Sequence, residues 1–343
     1  SLYQEIGHPN VKLVQRLLDR LARSKKNMAA QYRCQALTHS KNGEFDQEEE
    51  LHRKALAINE ALGNKKGMAS DYANLGNVYW TQGDLDRAEE MHRKALELNE
   101  ALGSKEGIAR DCNNLGLVYE TRGELDRAEE MYRKSLEINE ALGLKQVASN
   151  QYANLGNMYR TRGDLDRAEE MHRKSLEVSE ALDSKEGMAS DYGNLGNVYY
   201  TRGDLDRAGE MYRKSLEISE TSGLKKTSVN QYGNLGNVYG TQGELAKAEE
   251  MYRKSLEISE ALGLKQVTAS LYGSLGNVYE TQGDLDRAEK MHRKALELNE
   301  ALGSKEGMGS DYSGLGVVYQ KRGDLDKAEE THRKALELHH ALD

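Results

Sequence analysis

The sequence repeats itself every 40 residues. The block from Lys65, KKGMASDYANLGNVYWTQGDLDRAEEMHRKALELNEALG, recurs from Lys105, Lys145, Lys185, Lys225, Lys265 and Lys305. A worn copy runs from about Lys25 to Gly63. A fixed period of this size implies a solenoid, in which each unit touches only its neighbours and the core is continuous along the array. The 343 residues are therefore expected to form one solenoid domain. It comprises an N-terminal segment over 1–24, a degenerate first repeat over 25–63 and seven repeats over 64–343.

Each unit reads as two helices. Met68, Tyr72, Leu75 and Tyr79 are spaced by four, three and four, which puts them on one helical face. Gly83 interrupts that pattern, and Asp84 is placed to cap a second helix by accepting from its free amides. The second helix carries Leu85, Ala88, Met91, His92, Ala95, Leu98 and Leu102 on its apolar side, and Gly103 stops it. Linkers this short allow only an antiparallel pair. The predicted fold class is all-α, a stack of helical hairpins.

Composition narrows the function. The net charge of −9 argues against a nucleic-acid partner, which would want a basic stripe. No run approaches the roughly 18 apolar residues of a membrane span, and the start SLYQEIGHPN lacks signal-peptide character. Two cysteines, Cys34 and Cys112, are too few for a disulfide framework and point to a reducing cytoplasm. No nucleophile–base pair, phosphate loop or metal motif appears, so neither an enzyme nor a cofactor is expected. His92, His172, His292 and His332 share their slot with Tyr132, Tyr212 and Tyr252. A metal needs convergent ligands, and a slot that His and Tyr fill in turn is a packing slot.

The informative face belongs to the first helix of each pair. At 100° per residue, Ser70, Asn74, Asn77 and Thr81 lie nearly opposite the core stripe. The Asn74 slot reads Asn74, Asn114, Asn154, Asn194, Asn234, Ser274 and Gly314. The Asn77 slot reads Asn77, Leu117, Asn157, Asn197, Asn237, Asn277 and Val317. Asparagine inside a helix costs about half a kcal/mol against alanine, so local stability did not choose it.

The pattern Tyr72-x2-Leu75-Gly76-x2-Tyr79, followed by Ala88-x3-His92 and Ala95, resembles the tetratricopeptide repeat. Tyr72 stands in that family's tryptophan slot and His92 in its phenylalanine slot. Glu100 replaces the usual proline, and the unit exceeds the usual 34 residues. In both respects it is similar to the long repeats of kinesin light chains, LGN-type scaffolds and bacterial signalling arrays. The resemblance implies a right-handed superhelix whose first helices line a concave groove. It also implies that the asparagines hold the backbone of an extended protein or peptide ligand, since a carboxamide both donates and accepts. The opposing account is that copies this similar repeat asparagine only through recent duplication. The Trp80 slot, which reads Trp80, Glu120, Arg160, Tyr200, Gly240, Glu280 and Gln320, varies most. Trp80, Arg160 and Tyr200 are the candidates for specificity.

Both ends depart from the pattern. After Pro9 and a possible cap at Asn10, the stripe Val14, Leu17, Leu18 and Leu21 suggests a helix covering the open end of the array. At the other end Leu336 and Leu342 have no following repeat, which suggests a weak homodimer through that surface. The alternative function is accordingly a structural or self-associating element of a larger signalling protein.

Overall fold

The computed structural model describes residues 9–340, and the chain forms two compact units that divide between Arg162 and Gly163. The first contains α1 (Pro9–Asn42), α2 (Phe45–Ala61), α3 (Lys65–Thr81), α4 (Leu85–Leu102), α5 (Lys105–Thr121), α6 (Leu125–Ala141) and α7 (Lys145–Arg162). The second contains α8 (Leu165–Ala181), α9 (Lys185–Arg202), α10 (Leu205–Thr221), α11 (Lys225–Thr241), α12 (Leu245–Ala261), α13 (Lys265–Gln282), α14 (Leu285–Leu302), α15 (Lys305–Arg322) and α16 (Leu325–His340). Each unit is an all-α, right-handed solenoid of antiparallel helix pairs.

Local chemistry sets the helix ends. Gly83 adopts φ 80°, and Asp84 accepts a hydrogen bond of 3.0 Å from the Arg87 amide. Where Glu124 and Glu244 replace that aspartate, the longer side chain makes no capping bond. The two helices of a pair approach closely because Gly76 has no side chain. A Cβ there would lie 2.6 Å from Cε1 of His92, and one on Gly196 would lie 2.5 Å from Cε1 of Tyr212. The His/Tyr slot is thus filled by a ring lying against helix backbone. Burial pulls the His92 imidazole down to about 4, so it packs as a neutral group.

The core stripe differs from the sequence expectation. Leu75 and Tyr79 are buried, but Met68 and Tyr72 are only half-buried, and Asp71 is 0% exposed. The reason is that a first helix packs against two second helices, its own and the preceding one, so two of its faces are covered. Asp71 faces the preceding pair and accepts from Nδ2 of Asn59 at 2.6 Å and from Arg33 at 2.9 Å. The same contact recurs as Asn99–Asp111 at 2.6 Å, Ser179–Asp191 at 2.7 Å and Asn299–Asp311 at 2.7 Å.

A second polar contact ties each repeat to the next. The Glu89 carboxylate accepts from the Tyr119 hydroxyl at 2.9 Å, from Arg93 on its own helix, and from Arg122 and Arg127 of the next pair. Glu129 with Tyr159 and Arg162, Glu169 with Tyr199 and Arg202, and Glu289 with Tyr319 and Arg322 repeat the arrangement. Burial raises these carboxyls, but the hydrogen bonds outweigh it and hold all four at about 2. In α10 the slot holds Gly209, so Tyr239 has no carboxylate to donate to. There Gln242 donates to Asp206 at 3.3 Å.

The N-terminal expectation needs correction. α1 is continuous for 34 residues through Ser24, and the cap expected of the Asn10 side chain lies outside what is described. No glycine or proline interrupts the run before Gly43, which turns it at φ 72°. Val14, Leu17, Leu18 and Leu21 are each 54% exposed, so this stripe does not cover the end of the array. Leu336 is likewise exposed, while Leu342 lies outside the described residues.

Two predictions follow from these contacts. Gly209→Glu should raise the thermal midpoint, since replacing a mid-helix glycine gains about 0.5–1 kcal/mol and gives Tyr239 an acceptor. The nearest obstacle to the new Cβ is the flexible Arg213 tip, at 3.2 Å. A midpoint by circular dichroism that stays or falls would show that this joint has no use for a carboxylate. The second prediction concerns Asp311, which burial raises from 3.8 to about 6 despite the Asn299 hydrogen bond. The folded state therefore binds the proton more tightly than the unfolded chain. The resulting stability is fully present below 3.8 and is lost as pH rises through 6. Asp311→Asn should melt higher than the parent at pH 7.5, with the difference shrinking on acidification. Melts at several pH values with a constant difference would refute it.

Candidate functional site

The covering of two faces leaves the third face of each first helix for solvent, and that face carries the asparagines. Asn74, Asn114, Asn154, Asn157, Asn194, Asn197 and Asn234 are half-buried, whereas Asn77, Asn237 and Asn277 are exposed. In the first unit the carboxamides link adjacent first helices: Asn114 donates to Asn77 at 3.4 Å and Asn154 to Asn113 at 2.9 Å.

In the second unit the Asn77 slot has a further contact. Asn197 accepts from the Tyr212 hydroxyl at 2.8 Å and Asn237 from the Tyr252 hydroxyl at 2.6 Å. Tyr132 lies beneath Leu117 in the equivalent frame, and its hydroxyl goes to Glu120 at 2.6 Å instead. Burial raises the Tyr252 hydroxyl to about 12, so it stays protonated and able to donate. The Asn77 slot is thus coupled to the His92 slot of the same pair.

The first helices α9, α11 and α13 enclose a concave cavity of about 450 Å³. Asn194, Asn197, Asn234 and Asn237 line it, joined by Ser270, Ser274 and Tyr252, and no charged side chain is among its lining residues. Such a surface can pair with peptide N–H and C=O groups but offers nothing to neutralise a charge. One lining residue that sequence reasoning missed is Gln231, in the buried Asp71 slot. Its signal in the sequence was the departure of Gln151, Gln231 and Leu271 from aspartate in that slot.

The specificity candidates sit beside this face and are partly engaged within the fold. The Trp80 indole donates to the Thr121 hydroxyl at 3.2 Å, and the Tyr200 hydroxyl meets that of Thr241 at 3.1 Å. Trp80 is exposed, Arg160 half-buried, and Tyr200 packs against the core of its unit. Cys112 is buried, and its thiol is pushed up to about 11, as suits a small core residue. Among the described residues no three histidine, cysteine, aspartate or glutamate side chains converge as a metal site requires. No helix among them is long and apolar enough to cross a membrane.

Comparison with known proteins agrees with this architecture. No curated protein matches the chain. BtubC (BKLC) from P. vanneervenii is 27% identical with a TM-score of 0.59, over 64% of this chain and 92% of that one. A signal-transduction ATPase with numerous domains and a tetratricopeptide repeat sensor, from Pyrococcus horikoshii, matches with a TM-score of 0.68 at 16% identity, over 94% of this chain and 50% of that one. A Rap protein complexed with competence and sporulation factor matches with a TM-score of 0.59 at 14% identity, over 92% and 99%. These last two likenesses concern the fold alone. Family models described as tetratricopeptide repeat match residues 27–101, 72–141, 146–221, 228–301 and 312–343. With most of its length so matched and helix pairs of the corresponding kind, the chain belongs to the tetratricopeptide repeat family.

Proposed function

We propose that the first-helix face binds an extended protein or peptide segment chiefly through its main chain, with Asn74, Asn77, Asn114, Asn154, Asn157, Asn194, Asn197, Asn234, Asn237 and Asn277 as the contacting ladder. The observation that carries this reading is the uncharged, carboxamide-lined cavity across α9, α11 and α13. Trp80, Arg160 and Tyr200 flank the ladder and would tune which segment is held. The long unit supports a narrower kinship with kinesin light chains and LGN-type arrays, and the paucity of cysteine supports a cytoplasmic setting.

The two asparagine slots are expected to respond differently. Asn194→Ala with Asn234→Ala should leave the melting temperature unchanged or slightly raised, because alanine is the better helix former. It should weaken capture of a random peptide library by roughly tenfold, two lost hydrogen bonds at about 0.5–1.5 kcal/mol each. Asn237→Ala should instead lower stability, because the Tyr252 hydroxyl loses an acceptor. Undiminished peptide capture by the double variant would mean that the ladder is an imprint of duplication.

A second reading, weak self-association, draws on the exposure of Leu325 (67%) and Leu336 (57%) along α16. Sedimentation at rising concentration checks it. Dimer formation that disappears in Leu336→Glu supports the contact, and a monomer at all concentrations rules it out.

A further inference from the structure

The joint between α10 and α11 keeps the donors that hold a carboxylate elsewhere but contains no carboxylate of its own in that slot. In the joints built on Glu49, Glu89, Glu129, Glu169, Glu249 and Glu289, two groups bind the glutamate. One is the tyrosine of the next first helix, the other an arginine one turn along the glutamate's own helix. At the remaining joint the glutamate slot is Gly209, while Arg213 and Tyr239 still occupy the arginine and tyrosine slots.

The other changes at this joint leave its donors in place. Gln242 stands where Arg122 stands in an earlier copy, but Gln82 and Gln282 do the same, and there Tyr79 still donates to Glu49 at 2.8 Å and Tyr279 to Glu249 at 2.9 Å. Lys247 replaces the arginine of the Arg87 slot and keeps a cation over the Tyr239 ring, its Nζ 5.3 Å from the ring centre. The nearby acids are already engaged. Glu210 pairs with Lys214 at 2.8 Å, Glu244 pairs with Lys247, and Asp206 accepts from Gln242 at 3.3 Å. Among the described residues Arg213 makes no ion pair and the Tyr239 hydroxyl no hydrogen bond. The Arg213 tip lies over the glycine instead, with Nη1 3.2 Å from where a Cβ would be. The place is open to solvent: in the filled joints the glutamate side chains keep 17–20% of their surface exposed, and Arg213 is itself exposed.

We infer that Gly209, Arg213 and Tyr239 form a binding site for a carboxylate supplied by another molecule, which takes the position that a glutamate side chain holds in the other joints. A planar carboxylate can accept from a guanidinium and a hydroxyl together, as the internal glutamates do. Asp206 and Glu244 stand on the neighbouring Gln242 and Lys247, so a singly charged acid fits where a phosphate dianion would be repelled. Two sources carry this chemistry, a small organic acid and the aspartate or glutamate side chain of a bound protein. The site does not depend on the asparagine groove.

The test is thermal melting of the full chain in sodium acetate against sodium chloride at equal ionic strength. About 200 mM acetate should raise the wild-type midpoint by roughly 1–3 °C over chloride, as linkage to a weak site requires. Two variants report whether the shift belongs to this joint. Gly209→Glu supplies the carboxylate in place, and Tyr239→Phe removes a donor while keeping the ring; both should lose the acetate shift. N-acetylglutamate amide, compared with N-acetylglutamine amide, separates the sources. A shift with the glutamate compound assigns an acidic side chain as ligand, and a shift with acetate alone assigns a small acid. A wild-type midpoint that neither carboxylate moves, or an equal shift in wild type and Tyr239→Phe, would overturn the site.

Discussion

The first helices α3, α5, α9, α11, α13 and α15 are each pressed between two second helices, and most other features follow from that placement. One covered face needs glycine, because the ring of His92 or Tyr212 lies where a Cβ would be. The other covered face carries a buried carboxylate, such as Asp71 or Asp111, that must find its donor on the preceding pair. A helix with two occupied faces has a narrow third face, and only that one is free to evolve toward a ligand. The aspartate at that face takes its hydrogen bond from asparagine in some copies and from serine in another.

That coupling also reaches the exposed face. The asparagine that accepts from Tyr252 is part of the packing and part of the groove, whereas Asn234, one turn earlier, has no such obligation to its own pair. A face that looks uniform in sequence is therefore divided into residues that hold the array and residues that are free to bind. Tyr132 shows the same rule by exception: with Leu117 above it, its hydroxyl turns to Glu120, whose carboxyl burial raises.

Much of this was legible in the sequence. The period, the Gly83 break, the Asp84 cap and the small residues Gly76, Ala88 and Ala95 all depend on interactions within one unit, which local pattern can report. What pattern misplaced were residues whose environment is made by another unit. Asp71 reads as a solvent-facing charge in a single helix, and only the preceding pair makes it a buried acceptor. Gln231 reads as an ordinary glutamine until Gly193, from the preceding repeat, is placed against it. The apolar stripe of Leu17 and Leu21 was misread for a related reason: amphipathicity tells which face of a helix is oily, and says nothing of whether a neighbour lies against it.

The joint at Gly209 has a mechanical consequence. Across the other stapled joints a pulling force must break a carboxylate's bonds to a tyrosine and to the arginines gathered around it, several of them at once. Between α10 and α11 the corresponding tie is the single amide hydrogen bond from Gln242 to Asp206. Bonds loaded in parallel share tension, and here the load is left to this amide bond and to the bond from the Tyr232 hydroxyl to Glu220 further along the same two helices. An array pulled from its ends would therefore yield first beside the floor of its own groove, so that tension and ligand occupancy are felt at the same place.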